Sequence, residues 1–214
     1  MRSNRRLLEA AMGVGPGALR FMSQTHSDRV AISGPTGASD SGAATGDPSP
    51  APDADAMISP DGTDPLAVLV ADCVPVVLAD TGNTEGTGAT AVVHAGRAGV
   101  VNGIIGKAVT LLRRHGAREI TAWIGPSVCG SCYEVPEEMM RDVARLVPDA
   151  AARTHSGSAA LDLPAAVRRQ LLEAEVRLGL VDSASSLCTL ENAELYSHRR
   201  EPGAGRLAGL VWRT

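Results

Sequence analysis

The chain has 214 residues, of which 44% are hydrophobic, which is enough to bury the core of a folded domain. Aromatic side chains make up only 2% and the formal net charge is −4, so the basic, aromatic-rich face of a nucleic-acid-binding protein is not expected. No apolar run approaches the roughly 18 residues that suggest a membrane-spanning helix, so no membrane partner is expected either.

The N-terminal segment and the cysteines predict a cytoplasmic protein. The apolar part of residues 1–22 is interrupted by Glu9, Gly13, Gly15 and Pro16, so it lacks the continuous apolar region of a signal peptide. Four cysteines in a chain of this length do not form a disulfide scaffold, and we expect reduced thiols.

The first predicted elements lead to a histidine at a chain reversal. Residues 4–13 have a helical pattern that ends at a glycine. Two short apolar runs, residues 18–22 and 29–33, predict a hairpin-like pair of strands with the stretch QTHSDRV, and thus His26, between them. Residues 34–56 are rich in Gly, Ser, Pro, Asp and Ala and predict a flexible surface loop.

The middle of the chain predicts buried strands. Residues 66–73, 74–80 and 89–96 are nearly continuous apolar runs, as in strands that are buried on both faces. Apolar residues then recur at helical spacing from Val100 to Leu112, and residues 119–125 return to a strand pattern. Residues 89–125 therefore predict a strand–helix–strand crossover.

The remainder alternates helices and strands. Helices are predicted over residues 136–146 and 163–178, each with a proline in its first turn, and a last strand is predicted over residues 206–212. The predicted fold class is α/β or α+β, in which a single domain over residues 1–214 forms a mixed-sheet sandwich with flanking helices.

Three side chains that commonly bind metals lie at predicted strand ends. His26, Cys73 and His94 make a sensible zinc set, because three protein ligands leave a fourth position open for catalysis. Asp72 is a catalytic candidate that could move protons, and Cys73 is a candidate nucleophile. Each residue also has a structural interpretation: Asp72 as a cap, Cys73 as a small buried hydrophobe and His94 as a core histidine.

Two further segments offer groups that bind anions. Arg97 and Gly99 follow His94 in a glycine-rich turn into a predicted helix, where backbone N–H groups favour an anion. The tail segment SHRREPGAGR supplies further candidates to bind phosphate or carboxylate, namely Ser197, Arg199, Arg200 and Arg206. The tail segment also fits an ordinary solvent-exposed basic loop, and the glycine-rich turn is a weak signal by itself because it lacks the lysine and the spacing of a P-loop.

A Cys-x-x-Cys spacing occurs at Cys129 and Cys132. This spacing fits a redox pair, half of a structural zinc site or two ordinary free thiols. The chain has four cysteines, and no second pair with this spacing exists to complete a site of four cysteines. The role of the pair therefore stays open at the level of sequence.

Taken in order, these stretches resemble one protein family. The resemblance runs through QTHSDRV, DADAMISP, ADCVPVVLAD, VVHAGRAGV, IGPSVCGSCYEV, LDLPAAVRRQLLEA, CTLENAELYSHRREPGAGR and LAGLVW, and covers nearly all of the chain from Asn4 onward. The family was once called multicopper polyphenol oxidase, or laccase domain, and is now described as purine nucleoside phosphorylase. Several motifs in the right order are far more specific than any one of them.

The resemblance implies a fold, a metal site and an activity. Members are described as compact α/β sandwiches that share their fold with a Cys-His toxin that deamidates glutamine. Their catalytic zinc ligands correspond here to His26, Cys73 and His94. Members are described as cleaving adenosine, inosine, guanosine or methylthioadenosine with phosphate and as deaminating adenosine. A copper-dependent oxidase activity is also attributed to many of them.

The chain departs from the family pattern in the loop after His94. The usual HAGWRG reads HAGRAG here, so that Arg97 replaces the tryptophan and Ala98 replaces the arginine. The paired cysteines before Tyr-Glu become Ser131 and Cys132, and the TGR of the tail becomes AGR. These changes leave the predicted metal ligands intact and fall on the predicted contacts to phosphate and nucleoside.

The residues and the resemblance together predict a zinc enzyme that acts on purine nucleosides and phosphate. The alternatives are a copper-dependent phenol oxidase, a metal-free hydrolase with Cys73 as nucleophile and His94 as base, and a family member without activity. Five histidines in the whole chain are few for several copper ions. The sequence does not determine the preferred nucleoside or the oligomeric state.

Overall fold

A computed structural model of the chain describes residues 2–34, 51–82, 86–180 and 187–213. Its helices are α1 (Arg2–Met12), α2 (Arg97–Val101), α3 (Ile104–Arg114), α4 (Glu137–Leu146) and α5 (Leu163–Glu173), with a short 3-10 helix at Pro148–Ala150. Its strands are β1 (Val30–Ile32), β2 (Ala56–Ser59), β3 (Leu66–Val70), β4 (Val74–Asp80), β5 (Thr90–Ala95), β6 (Ile120–Ile124), β7 (Ala151–Arg153), β8 (Ala159–Leu161), β9 (Arg177–Leu178) and β10 (Leu207–Val211).

Six strands form a mixed sheet in the order β1-β2-β5-β4-β6-β9. The outer pairs, β1 with β2 and β6 with β9, are parallel, whereas β2, β5, β4 and β6 pair antiparallel. β3 and β10 form a separate antiparallel pair, as do the short strands β7 and β8. The predicted mixed sheet of an α/β protein is therefore confirmed.

The six-stranded sheet is buried on both faces. One face packs against the helices in a core that includes Val93 and Ile104. The other face packs against the β3–β10 pair in a smaller core that includes Val92 and Val68. Because successive side chains of a strand point to opposite faces, neighbouring residues of β5 belong to different cores. This arrangement explains why the strand runs in the sequence are continuously apolar.

Most predicted elements are present near their predicted ends, including the helices over residues 4–13 and 136–146 and the strand over residues 206–212. The crossover over residues 89–125 is also confirmed, because β5 and β6 flank β4, both pair with it antiparallel and so run parallel to each other. Its helical part is interrupted at Gly103, where a φ of 75° separates α2 from α3.

Two predicted elements were wrong in part. The runs on either side of QTHSDRV do not pair with each other, since Arg20 bridges Leu66 and β1 pairs with β2. The N–H groups of this stretch bind a carboxylate, described below, instead of closing a hairpin. The helix predicted over residues 163–178 ends at Glu173, because Glu175 adopts a φ of 54° and the chain then enters β9.

The flexible loop predicted over residues 34–56 falls largely on residues 35–50, which lie outside the described residues. Its last part differs from the prediction, because Ala54, Asp55 and Ala56 are buried and Ala56 begins β2. Composition alone was misleading here, since the polar Asp55 is buried, where its carboxylate accepts hydrogen bonds from the backbone around His26.

The helices of the described ranges are short. The longest have 11 residues, whereas a helix needs about 20 to cross the apolar part of a bilayer. Within those ranges, no helix combines the length and the apolar character of a membrane span.

Candidate functional site

The three predicted metal ligands lie together at one end of the six-stranded sheet. Cys73 directly precedes β4, and the register that places Pro75 opposite His94 brings Cys73 beside the end of β5. His26 arrives from the stretch before β1. The ligand atoms of the three residues, which we call the His–Cys–His cluster, all lie within 4.8 Å of one another, and Cys73 Sγ is 3.8 Å from His26 Nε2.

A buried carboxylate that the sequence analysis did not single out organises this cluster. Asp55 lies directly before β2, and its Oδ1 is 2.7 Å from Nδ1 of His94. Asp55 also accepts hydrogen bonds from the backbone N–H groups of Thr25 (3.2 Å), His26 (3.0 Å) and Ser27 (2.6 Å) and from the Ser27 hydroxyl (2.6 Å). One side chain therefore orients His94 and holds the stretch that carries His26.

The hydrogen bond to Asp55 determines which nitrogen of His94 is available. A carboxylate at Nδ1 favours the tautomer that carries its proton there, which leaves the lone pair of Nε2 for a metal. The backbone N–H of His94 also donates to the carbonyl oxygen of Asp55 at 2.7 Å. Side-chain and strand hydrogen bonds thus join the same two residues and restrict the imidazole.

Left-handed backbone occurs on both sides of the cluster. His26 has a φ of 60°, and Asp72, directly before Cys73, has a φ of 85°. Residues other than glycine adopt such values rarely, at a cost of about 1–3 kcal/mol each, and often at functional sites. In both cases hydrogen bonds to a buried carboxylate, Asp55 or Asp72 itself, hold the local chain in place.

Gly96 forms a floor beneath the cluster. A Cβ at this position would lie 2.9 Å from Cδ2 of His26 and 3.3 Å from Sγ of Cys73. Such separations are shorter than ordinary carbon contacts, so any side chain at residue 96 would displace the ligands. Gly96, the glycine of the HAG motif, is thus required because the side chains of His26 and Cys73 approach its backbone closely, and not because of an unusual φ.

The charges of the cluster reinforce one another. Burial opposes ionisation of Asp55, but hydrogen bonds from His94 and Ser27 hold the pKa of this carboxyl well below its usual range. Burial also opposes ionisation of Cys73 and His94, yet hydrogen bonds with the neighbouring histidines lower the pKa of the Cys73 thiol to about 7. Those with Asp55 and Cys73 raise the pKa of His94 to about 9. These hydrogen bonds thus favour the Cys73 thiolate and the His94 imidazolium relative to free side chains, and the thiolate is the reactive and metal-binding form.

The donor set fits a transition metal. One thiolate and two imidazoles suit zinc and also copper, and three protein ligands with an open position are typical of catalytic rather than structural zinc. The carboxylate of Asp55 on Nδ1 of His94 is the usual support for a metal-bound histidine. His26 is exposed, so the cluster is reached from solvent on that side.

Asp72 is placed next to the cluster but its carboxylate is engaged elsewhere. It is 7% exposed, and its Oδ1 accepts a hydrogen bond from the Thr189 hydroxyl at 2.7 Å. Its Oδ2 accepts one from the backbone N–H of Arg199 at 2.8 Å, and its carbonyl oxygen accepts one from Val128 at 3.0 Å. Asp72 thus ties the chain before Cys73 to two distant segments.

Arg97 and Gly99 lie inside α2 rather than before a helix. The helix begins at Arg97, so the predicted helix start after Gly99 was wrong. Gly99 is buried, and a Cβ there would lie 3.1 Å from the carbonyl oxygen of Ser27, which shows that it allows close packing against the stretch carrying His26. Arg97 is half-buried and directly follows Gly96. Anion binding by these two residues stays a prediction.

Ser197 and Arg200 hold the tail segment together. Ser197 is fully buried, and its hydroxyl oxygen accepts the backbone N–H of Arg200 at 3.2 Å. The guanidinium of Arg200 donates to four backbone carbonyls of the loop that directly precedes the tail segment, those of Thr189, Leu190, Asn192 and Leu195. Its donors therefore stabilise a loop, and any contact with phosphate would compete with these bonds.

Arg199 and Arg206 also contact the protein itself. The guanidinium of Arg199 donates to the carbonyl oxygen of Glu134 at 2.9 Å and lies 4.5 Å above the ring of Tyr133. The guanidinium of Arg206 donates to the carbonyl oxygens of Ala204 and Gly205, both at 3.0 Å. The structure thus brings Arg199 next to Asp72 through its backbone, while Arg206 remains exposed.

A match to a known family covers the whole chain. The family model described as multi-copper polyphenol oxidoreductase laccase matches residues 1–214. The chain belongs to this family. The resemblance that the motifs predict is thereby confirmed, and the family is one of enzymes whose members include proteins named purine nucleoside phosphorylase.

Individual relatives and a solved structure agree with this membership. A protein from Streptomyces coelicolor named purine nucleoside phosphorylase is 44% identical over 213 residues, which cover 98% of this chain and 81% of the relative. Another of that name, from Corynebacterium glutamicum, is 41% identical over 212 residues, covering 98% and 80%. The crystal structure of the hypothetical protein YfiH from Bacillus licheniformis superposes with a TM-score of 0.79 at 26% identity and covers 100% of this chain and 80% of that one.

Proposed function

We propose that the protein is a zinc-dependent purine nucleoside phosphorylase acting on adenosine, inosine, guanosine or methylthioadenosine, and that adenosine deamination is a second activity of the same site. The observation that carries the proposal is the His–Cys–His cluster, supported by Asp55, in a chain whose relatives are named purine nucleoside phosphorylases. Zinc bound by His26, Cys73 and His94 would supply a Lewis acid at the solvent-facing side of the cluster.

Phosphorolysis requires an anion beside the ribose and a proton for the leaving base. A phosphate oxygen forms a bond to C1′, the bond from C1′ to the purine nitrogen breaks, and its electron pair leaves with the base, which takes up a proton. Arg97 is the best-placed candidate to bind phosphate, because it adjoins Gly96 and, among the described residues, has no hydrogen-bond partner for its guanidinium of the kind found for Arg199 and Arg200.

The remaining residues of the site position these groups. Asp55 holds the proton on Nδ1 of His94 and fixes the backbone of His26. Asp72 holds the chain before Cys73, and its carboxylate is free to move a substrate proton only if it releases Thr189 or Arg199. Asp72 therefore acts mainly as a positioning residue for Cys73, and in addition as a proton acceptor when one of these hydrogen bonds is released.

The decisive experiment combines metal analysis with product analysis. The purified protein is assayed for zinc and copper and is then incubated with adenosine, with and without phosphate. Adenine and ribose 1-phosphate that appear only with phosphate report phosphorolysis, whereas inosine and ammonia, which need only water, report deamination. Zinc-loaded protein that converts none of adenosine, inosine, guanosine and methylthioadenosine, with or without phosphate, would falsify the proposal.

A metal-free hydrolase is the second candidate, and one observation favours it. Cys73, His94 and Asp55 form a thiol–imidazole–carboxylate arrangement in which the pKa of the thiol is lowered to about 7. In that reaction the thiolate attacks an amide carbonyl, His94 protonates the departing amine, and water then cleaves the thioester. Activity that survives complete removal of zinc and is abolished by alkylation of Cys73 would support this candidate against the first.

A copper-dependent phenol oxidase is favoured by the name of the family model alone. Within the residues that the structure describes, the cluster brings together two histidines and one cysteine, which is one metal position rather than several. Copper at stoichiometric amounts in the purified protein, together with oxygen consumption on a phenol, is the outcome that would favour the oxidase.

A further inference from the structure

A second group of metal-binding side chains lies outside the His–Cys–His cluster. Cys129 and Cys132 belong to the turn after β6, and Cys188 and Glu191 belong to the loop that precedes the tail segment. The ligand atoms of these four residues, which we call the three-cysteine cluster, all lie within 4.8 Å of one another. The proposed catalytic chemistry uses none of them.

Backbone pairing explains why the two segments meet. Ser127 and Cys188 form a parallel bridge, and the N–H of Thr189 donates to the carbonyl oxygen of Ser127 at 3.1 Å. The chain then turns, with the N–H of Asn192 donating to the carbonyl oxygen of Cys188 at 3.0 Å, and this turn returns Glu191 towards the thiols. Two stretches about sixty residues apart thus contribute two ligands each.

The Cys-x-x-Cys turn is held in a defined shape. The N–H groups of Cys132 and Tyr133 both donate to the carbonyl oxygen of Cys129, at 3.1 and 3.0 Å. Gly130 lies against Asp162, where a Cβ would be 2.7 Å from the aspartate Cβ, so only glycine fits. The turn is therefore fixed by contacts that do not depend on a bond between the two sulfurs.

The separations suit four ligands around one ion. Ligands at about 2.3 Å from a tetrahedral zinc lie about 3.8 Å apart, so sulfurs within 4.8 Å need only a small inward shift. Cys132 Sγ already lies 3.2 Å from Oε1 of Glu191, and the backbone N–H of Cys129 donates to Sγ of Cys188 at 3.4 Å. His155 Nε2 lies 3.7 Å from the same Glu191 oxygen.

We propose that Cys129, Cys132, Cys188 and Glu191 form a closed structural zinc site. Three thiolates and a carboxylate complete four-coordination and leave no position for substrate, unlike the His–Cys–His cluster. Binding exchanges one Zn²⁺ for three thiol protons, which pass to the solvent, while the carboxylate binds in its ionised form. A disulfide between Cys129 and Cys132 is the main competitor, but it would leave the neighbouring Cys188 and Glu191 without a shared role.

The zinc site would fasten the loop before the tail segment to the chain after β6. The loop before the tail segment supplies the Thr189 hydroxyl and the tail segment supplies the Arg199 N–H, and both hold the carboxylate of Asp72, the residue before Cys73. The three-cysteine cluster therefore supports the position of Cys73 from a distance. The proposal does not depend on which reaction the protein catalyses.

Metal counting with selective variants tests this site. The full chain is purified under reducing conditions without chelator, and its zinc content is measured by elemental mass spectrometry. We expect two zinc ions per chain for the natural protein and one for Cys132→Ser, which alters a half-buried ligand. Cys73→Ser should also leave one, and the combination of both substitutions should leave none.

Cobalt identifies which site each variant retains. Thiolate-to-Co²⁺ absorption should remain strong in Cys73→Ser, where three thiolates persist, and should become weak in Cys132→Ser, where one thiolate binds with two histidines. Glu191→Gln, at an exposed position, controls for misfolding and should lower zinc affinity with an unchanged circular dichroism spectrum. Equal zinc in Cys132→Ser and natural protein, or protein that is two hydrogens lighter because of a disulfide, overturns the proposal.

Discussion

The two clusters of cysteine, histidine and carboxylate side chains differ in their donors and in their exposure. The His–Cys–His cluster has three donors, one of them on the exposed His26, and its imidazole is oriented by Asp55. The three-cysteine cluster has four donors and joins two loops. The comparison teaches that the role of a cysteine in this fold depends on its neighbours. The other donors beside it, and the number of coordination positions that they leave open, decide whether a bound metal would serve catalysis or stability.

The sharpest way to separate the clusters is to remove an exposed ligand. His26→Ala should reduce nucleoside phosphorolysis by more than about 100-fold, since the remaining two ligands hold metal poorly. Zinc in the three-cysteine cluster should be unaffected. Elemental analysis and the phosphorolysis assay check this expectation, and His115→Ala, at the end of α3, is the matched control with full activity. Undiminished zinc at both positions in His26→Ala would remove His26 from the ligand set.

The next largest effect should come from the carboxylate behind the ligands. Asp55→Asn removes the negative charge at Nδ1 of His94 and one acceptor for the His26 loop, and we expect metal affinity to fall by about 10- to 100-fold. Competition with a coloured zinc chelator measures the change. Asp53→Asn is the control, because Asp53 is exposed and pairs with Arg29. Equal affinity in the two variants would show that Asp55 is only structural.

A smaller effect is expected from filling the floor of the His–Cys–His cluster. In Gly96→Ala the new methyl would press on His26 and Cys73, and a strain of about 1–3 kcal/mol should lower metal affinity by about 10-fold or more. Gly106→Ala, in α3 with open space around it, should keep the affinity and slightly stabilise the helix. If both variants bind zinc like the natural protein, the cluster has more room than the contacts at Gly96 imply.

The smallest expected effect concerns Arg200, which holds the loop that carries Cys188 and Glu191. Arg200→Lys loses most of the bonds to four backbone carbonyls and should lower the free energy of unfolding by about 1–3 kcal/mol. Urea unfolding of zinc-loaded protein measures the change. Arg206→Lys, whose contacts are local and exposed, should change it by less than about 0.5 kcal/mol. A large loss of phosphate affinity in Arg200→Lys with unchanged stability would instead support phosphate binding by Arg200.

The sequence could predict the strands and the chemistry-bearing residues at their ends. Continuous apolar runs predict β3, β4 and β5 because both faces of these strands are buried or covered. Polar side chains at the ends of such runs are conspicuous, which is why His26, Cys73 and His94 could be grouped before the fold was known. The motif resemblance added their order along the chain.

The sequence could not predict partnerships that depend on strand register. The role of Asp55 arises from the pairing of β2 with β5, which places it beside His94 some forty residues away. Likewise, Cys188 approaches Cys129 only through the bridge at Ser127. An arginine in a glycine-rich segment looks the same in the sequence whether it faces solvent or, like Arg200, binds the carbonyls of the loop before it. Local patterns contain no information on any of these distances.

The unequal anchoring of the two histidines has a kinetic consequence. His94 is nearly inaccessible and is clamped through both its ring and its backbone, whereas His26 is exposed on a loop. If the cluster holds a metal ion, the exposed imidazole of His26 is the donor that can rotate away first while His94 and Cys73 keep their positions. The lifetime of such an ion would then follow the rotation of one exposed side chain, because the backbone of His26 is itself held by Asp55.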